Sequence, residues 1–437
     1  MMKFICISRG FLLALVALST TACATGPQAS ARPAPATHAY EIEFDARNPS
    51  EASVHLALSS APSSVAPARD GNGAAVTEVR CEDGREATQN GGGWLLPIGC
   101  SRLEWKIAIQ EVDATSADAS LPNAIYSHEH EYLVLPERDG LLRAGAYGGT
   151  AVVRLKHLDG SVVERNYVFP TNDQPPFYAV VGARPAQEYA NDRFALRIFG
   201  DAPDYPWMDE VHQHVLSTWA GWSRDLVSGP VPSMIDWAWV KTGEDVEPGY
   251  NASAGAEAIV SQIVLRDGDP DAEAKARVVI ATSAAHEGFH TITGSAGQAW
   301  PAWVNESLAN YFAIDAARNF LAPGDHRWLN AFYVDPEVRL PLLEAQALYG
   351  AGDIGQAQVF YTWGARFWRK IESVLTNQPN RSGKLAALIV ATNNFADTDL
   401  DDADALAALL DRHSDDRASP IVRCFLEGLA CPAVSME

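Results

Sequence analysis

The segment His286-Glu287-Gly288-Phe289-His290 sets two imidazoles four residues apart, with a carboxylate beside the first. On a helix, residues i and i+4 share one face a turn apart, so both rings can reach a single ion. The carboxylate next to the first ring projects toward the same open side, where it can take a proton from water activated by the metal. A catalytic zinc takes three protein ligands and keeps the fourth tetrahedral position open. Glu306, separated from His290 by fifteen residues, is the candidate third ligand. This set is suited to metal-assisted hydrolysis, with His286, His290 and Glu306 on Zn(2+) and Glu287 as general base.

Such a set works only if two helices face each other. Pro270 suits a first helical position, with Asp269 as N-cap, and predicts a helix running to about Thr293 and stopping near Gly294. Val278 and Thr282 continue the face that carries His286. Pro301 opens a second helix to about Phe320, and folding it back brings Glu306 over the histidines. Asn310 lies one turn beyond Glu306, where its side chain can accept a hydrogen bond from the remote nitrogen of a metal-bound His; the alternative is a solvated surface amide.

Taken with Trp303-Val304-Asn305-Glu306-Ser307-Leu308-Ala309, the histidine segment resembles the gluzincin metallopeptidases, which include thermolysin, the aminopeptidase N family and the glycyl-aminopeptidase family. The likeness is closest to the last two, whose second helix reads Trp-x-x-Glu-Gly-x-x-x-Tyr. Trp303, Glu306 and Tyr311 answer that pattern, with Ser307 for the usual Gly. Tyr361-Thr362-Trp363-Gly364-Ala365 is similar to the Tyr-x-Lys-Gly-Ala block of the same families, with Trp363 for the Lys. The resemblance implies that Tyr361 hydrogen-bonds the tetrahedral intermediate, and a phenol beside the metal is a suitable oxyanion donor; a buried core Tyr is the alternative. Ala254-Gly255-Ala256-Glu257-Ala258 faintly resembles the Gly-x-Met-Glu-Asn strand motif. That likeness implies that Glu257 binds a substrate's free amine, unless it is a plain loop carboxylate. The neighbouring backbone, 256–260, with Gly255 just before it, reads as a sheet edge along which substrate pairs as an added strand.

The resemblance covers roughly residues 178–395. It implies a thermolysin-like metallopeptidase domain over 177–437 and a peptide or protein substrate. The spacer to Glu306 is a few residues shorter than usual, and nothing in the chain answers the large helical domain or PDZ module of many relatives. The choice between internal and amino-terminal cleavage therefore stays open. The rival class is a catalytically inactive binding lipoprotein on a gluzincin fold; an esterase using the same zinc chemistry is the other alternative.

The remaining sequence predicts an α+β multidomain chain. Residues 38–172 alternate apolar and polar residues, as in Tyr40, Ile42, Phe44 and in Leu103, Trp105, Ile107, Ile109, which predicts a β-sandwich-like domain. Leu158-Asp159-Gly160-Ser161 reads as a hairpin turn, and 60–76 and 113–123 as loops. After the boundary at Thr171–Pro176, strands are predicted at Phe177–Val181, Phe194–Phe199, Met234–Lys241 and Glu257–Leu265. Helices are predicted from Pro206 to about Val227 and near 338–349, 355–377, 383–394, 402–412 and 419–428.

Lys3, Arg9 and the apolar run Phe11–Leu18 read as an export signal over 1–22. Thr20-Thr21-Ala22-Cys23 resembles a bacterial lipoprotein box, so Cys23 is the expected lipidation site, with ordinary signal cleavage nearby as the alternative. Residues 23–37 then read as a Pro- and Ser-rich tether holding the protein at the cell envelope. Cys81, Cys100, Cys424 and Cys431 are an even set in an oxidising compartment, and their spacing suggests the pairs Cys81–Cys100 and Cys424–Cys431. With 33 Lys and Arg against 55 Asp and Glu, the net charge of −22 disfavours nucleic acid and anionic lipid surfaces. His128 and His130 read as a polar hairpin, His212 and His214 as surface residues, and Trp237 and Trp239 as core. The acidic stretch Asp397–Asp404 reads as a solvated helix start.

Overall fold

The computed structural model describes residues 38–67, 75–112, 124–172, 176–200, 202–227, 231–240, 249–264, 270–295, 300–333, 340–375 and 383–429. The expected signal and tether with Cys23, the stretch 113–123, Asp269 and Cys431 lie outside these residues.

Alternating burial makes the first part of the chain a series of strands. In order these are β1 (His38–Asp45), β2 (Glu51–Leu58), β3 (Ser64–Pro67), β4 (Val76–Cys81), β5 (Thr88–Asn90), β6 (Gly93–Leu95), β7 (Arg102–Ala108) and β8 (Gln110–Val112). They continue as β9 (Ile125–Ser127), β10 (Tyr132–Pro136), β11 (Leu142–Arg143), β12 (Gly149–Lys156), β13 (Val162–Phe169) and β14 (Tyr178–Gly182). The largest sheet has the order β13-β12-β1-β2-β7-β4, and a second runs β14-β10-β9-β8. Tyr40, Ile42, Phe44, Leu103, Trp105 and Ile107 on the first pack against Leu133, Leu135, Ala179 and Val181 on the second, closing a β-sandwich. The stretch 60–76, expected to be loop, contains β3, which pairs with β6 and β11. Asp159 Oδ1 accepts from Ser161 N–H at 2.8 Å in the β12–β13 hairpin turn, where the sequence placed it. Cys81 and Cys100 form a disulfide. Cys424 is buried and disulfide-bonded.

β10 and β14 are buried on both faces. Their other face, with Tyr132, Val134, Tyr178 and Val180, packs on Phe199, Ala238, Ala258 and Val260. Those residues belong to a third layer made of β15 (Gln187–Ala190), β16 (Ala195–Gly200), β17 (Met234–Trp239), β18 (Gly249–Ala254) and β19 (Ala258–Val264), in the order β15-β16-β17-β19-β18. β16, β17 and β19 are parallel, while β18 is an antiparallel edge strand. Asp236 on β17 binds Arg197 at 2.7 Å and Arg165 of β13 at 3.0 Å, joining two sheets by a buried ionic contact. β15 and β18 were not foreseen: both are edge strands, fixed by pairing with β16 and β19 rather than by a long apolar run.

Helices cover the far face of this sheet. α1 (Met208–Asp225) and α2 (Ala272–Ser295) bury Val211, Val215, Trp219, Ile280 and Ala284 against Ile198, Ile235, Trp237 and Ile259. Trp237 and Trp239 are core, as their alternation predicts. His212 and His214 correct the sequence reading. His212 is fully buried with its ring 5.3 Å from that of Trp237, and His214 is half-buried and stacks on Phe320. Both fall within the wide inward stripe of an amphipathic helix, where an imidazole packs as an aromatic.

α3 (Ala302–Phe320), α4 (His326–Tyr333) and α5 (Leu342–Gly350) follow. Then α6 (Ala357–Val359) passes through a π-helical turn at Phe360–Gly364 into α7 (Ala365–Val374). α8 (Lys384–Ala391), α9 (Ala403–Asp411) and α10 (Ser419–Glu427) complete a helical cluster around Trp303, Phe367, Trp368 and Phe425. Asp402 caps α9, its side chain accepting from Asp404 and Ala405 N–H. α4 was not anticipated. Among the described residues no helix is long and apolar enough to cross a membrane. The architecture is mixed α+β, a β-sandwich followed by a small sheet covered by helices.

Candidate active site

α2 carries His286, Glu287 and His290, and α3 carries Glu306. The two helices approach closely because their contact is lined by small side chains, Ala285 against Ala313 and Ala316. His286 Nε2 lies 3.0 Å from His290 Nε2, and Glu306 Oε2 lies 3.2 Å and 3.3 Å from them. Donor atoms about 2.0–2.1 Å from a tetrahedral ion stand roughly 3.3 Å apart, so this triangle has the size a zinc ion requires. It is the single cluster of potential metal-binding side chains among the described residues. The His128-Glu129-His130 turn gathers no such set; His128 instead contacts Glu111 at 2.9 Å.

The electrostatics fit a cation. Burial opposes charge on His290, yet Glu306 overrides it and lifts the imidazole to about 9. Burial likewise acts to raise Glu306, but His290 and His286 hold it well below the usual carboxylate range. Two imidazole nitrogens and a carboxylate oxygen converging at these distances have lone pairs aimed at one point and need a shared positive charge.

Glu287 is pushed up by burial, partly opposed by the two histidines, and its carboxylate accepts the N–H of Ala254 at the end of β18. Thr291 Oγ1 donates to Gly255 O at 3.1 Å, so the turn after β18 is tied to α2 a turn beyond the base. Tyr361 sits in the π-helical turn with its ring edge-on to His286, centroids 5.4 Å apart. Burial, then Glu306 and Glu287, raise its phenol, which stays a neutral O–H donor.

Other expected residues are placed differently. Glu257 lies on the turn between β18 and β19, lining a cavity of about 300 Å3 with Arg165, Arg197 and Asp236. Burial and then Asp236 push its carboxyl up to about 7, with Arg165 opposing. Gly255 and Ala256 lie on this turn, and 258–260 belong to β19, which is paired on both sides by β17 and β18, so 256–260 is not the sheet edge; β18 is. Gly255 N–H donates to Ala258 O at 2.8 Å, and Ala256 N–H to Pro176 O at 3.2 Å. Asn310 does not back a histidine. Its Nδ2 donates to the backbone carbonyl of Tyr361, and the side chain is buried rather than a solvated surface amide. The side chain that hydrogen-bonds His290 is Asn305, whose place beside Glu306 in the sequence was the available signal. Tyr311 interacts with Glu372, and Trp363 stacks on Phe425 at 4.1 Å, so both serve the helical cluster. Ser307 accepts from Trp368 Nε1 at 2.7 Å.

No family model matches the chain, and no curated protein matches it in sequence. Solved structures do. The M1 zinc metallopeptidase from Deinococcus radiodurans is 13% identical with a TM-score of 0.51, over 91% of this chain and 95% of that one. A point mutant of the same protein gives 14% and 0.51, over 91% and 96%. Legionella pneumophila aminopeptidase A in complex with aspartic acid is 10% identical with a TM-score of 0.50, over 91% of this chain and 50% of that one. At these identities the likeness is one of architecture, and in architecture this chain is similar to the M1 zinc metallopeptidases.

Proposed function

We propose that this protein is a zinc-dependent peptidase. The observation that carries the reading is the ion-sized triangle of His286, His290 and Glu306 with a half-buried carboxylate, Glu287, next along the helix that carries the two histidines. Zinc held by these three side chains would supply Lewis acidity, polarising a carbonyl and bringing the pKa of water toward neutrality. Glu287 acts as the base: burial raises its proton affinity, which suits a group that takes a proton from the attacking water and returns it to the leaving amine. Tyr361, its ring edge-on to His286, donates a hydrogen bond to the developing oxyanion. Asn305 steadies the His290 ring.

A peptide is the substrate class this chemistry suits, and its approach lies along the β18 edge and the Gly255–Glu257 turn, which is bonded to α2 through Thr291. Removal of an amino-terminal residue is the finer reading; Glu257, turned into the cavity with Arg165 and Asp236, is not assigned to the substrate amine. The lipid anchor on Cys23 and a cell-envelope location are part of the same proposal and rest on the sequence of residues 1–37.

The test is a peptide library with free and blocked amino termini, incubated with and without chelator and read by mass spectrometry. Chelator-sensitive cleavage is expected, and a preference for free termini supports aminopeptidase action. Glu287→Gln should keep zinc and lose several orders of magnitude in turnover. Full activity in that variant would overturn the mechanism.

A further inference from the structure

We infer that Asn310 is a positioning residue for Tyr361, acting through the tyrosine's own backbone carbonyl at the π-helical turn. The inference rests on the peptidase reading and adds to it the means by which the oxyanion donor is held. In an α-helix the N–H of Ala365 would reach Tyr361 O; here it donates to Thr362 O instead. A helix that changes register in this way leaves carbonyl capacity to be filled from outside, and such π-type turns recur at functional sites. Asn310 Nδ2 fills it. Asn310 is 2% exposed, so its amide has no competing solvent partner.

The rest of the interface supports a fixed seat for this turn. Gly364 packs so closely on α3 that a Cβ there would stand 2.5 Å from the Ser307 Cβ. Ser307 Oγ in turn accepts from Trp368 on α7. Glu306, Ser307 and Asn310 lie within about one turn of α3, the first aimed at the ligand triangle and the other two at the Tyr361 turn. One helix therefore sets both the metal ligand and the height of the phenol relative to it. The hydrogen bond is made to the backbone, so the restraint acts on where the Tyr361 Cα sits and leaves the hydroxyl free for substrate.

The test uses the full chain loaded with zinc. Asn310→Ala and Asn310→Leu, the second keeping side-chain volume without a donor, are compared with Tyr361→Phe and with each double variant. Mispositioning by about 1 Å lowers turnover on the order of a hundredfold, so kcat should fall by that order while KM and zinc content stay near native. In the Tyr361→Phe background the same substitutions should cause no further loss. Losses that multiply in the double variants overturn the inference, because they place the effect of Asn310 elsewhere. A readout independent of activity is 19F NMR of 3-fluorotyrosine incorporated at position 361. A single line in the native protein should shift or broaden in Asn310→Leu, and an unchanged line overturns the inference as well. Native protein that cleaves no peptide while the 19F line still responds removes the peptidase reading and leaves the contact standing.

Discussion

Gly288, inside the His286–His290 segment, offers a test of how the metal ligands are held. A Cβ at this position would stand 1.8 Å from Trp219 Nε1 and 2.1 Å from its Cε2. Trp219 is fully buried between α1, α2 and the sheet, so the indole cannot swing away. Ordinary carbon contacts lie at about 3.5–4.0 Å, so Gly288→Ala forces α1 and α2 apart by roughly 1.5 Å or distorts α2 locally. Overpacking of this kind costs about 1–3 kcal/mol. Zinc sites tolerate ligand displacements of only about 0.2 Å, so a shift several times larger beside His286 and His290 should also weaken zinc binding. The assay is urea unfolding of the metal-free protein together with zinc titration. Expected are a lower unfolding free energy and a weaker zinc affinity, both partly restored by Trp219→Phe, which removes the nitrogen that the methyl group meets. Native stability and native zinc affinity in Gly288→Ala would refute the argument, since a methyl group would then have been accommodated without moving the helix.

Two further outcomes follow from features away from the metal. Replacing Cys81 and Cys100 by Ser opens a loop spanning 19 residues and should cost about 3 kcal/mol by chain entropy, read as a lower urea midpoint; an unchanged midpoint would contradict it. Burial lowers His212 to about 4, so the folded protein keeps it neutral where the unfolded chain, near 6.5, takes up a proton. Its contribution is whole above about pH 6.5 and declines as pH falls toward 4, with a loss of about 2 kcal/mol at pH 5. His212→Phe should flatten the stability profile between pH 6.5 and 4, and an identical acid slope in the variant would exclude His212 as its source.

The convergence of His286, His290 and Glu306 was legible because it is written locally. His286 and His290 are spaced by one helical turn, and Pro301 restarts a helix that brings Glu306 back. Strand alternation around Tyr40 and Trp105 gave the sandwich for the same reason: period-two burial is a property of consecutive residues. The edge strand β18 was missed because the Gly249–Ala254 segment carries little apolar signal and is fixed by its pairing with β19. His212 was misplaced because spacing does not say how wide a helix's buried stripe will be.

What the sequence by itself determined is thus the chemistry of the centre: which side chains could converge on an ion, and that one carboxylate beside them could serve as base. The tertiary structure decided the partners. Asn305 reaches His290 while Asn310 reaches the Tyr361 backbone, although both amides flank Glu306 on one helix. Glu257 faces Asp236 and Arg165 because a hairpin turn, not a continuous strand, carries it. The physical reason is range. Helical periodicity constrains residues within a turn or two, whereas the neighbour of a buried amide or carboxylate comes from a segment dozens of residues away and is chosen by how the layers pack.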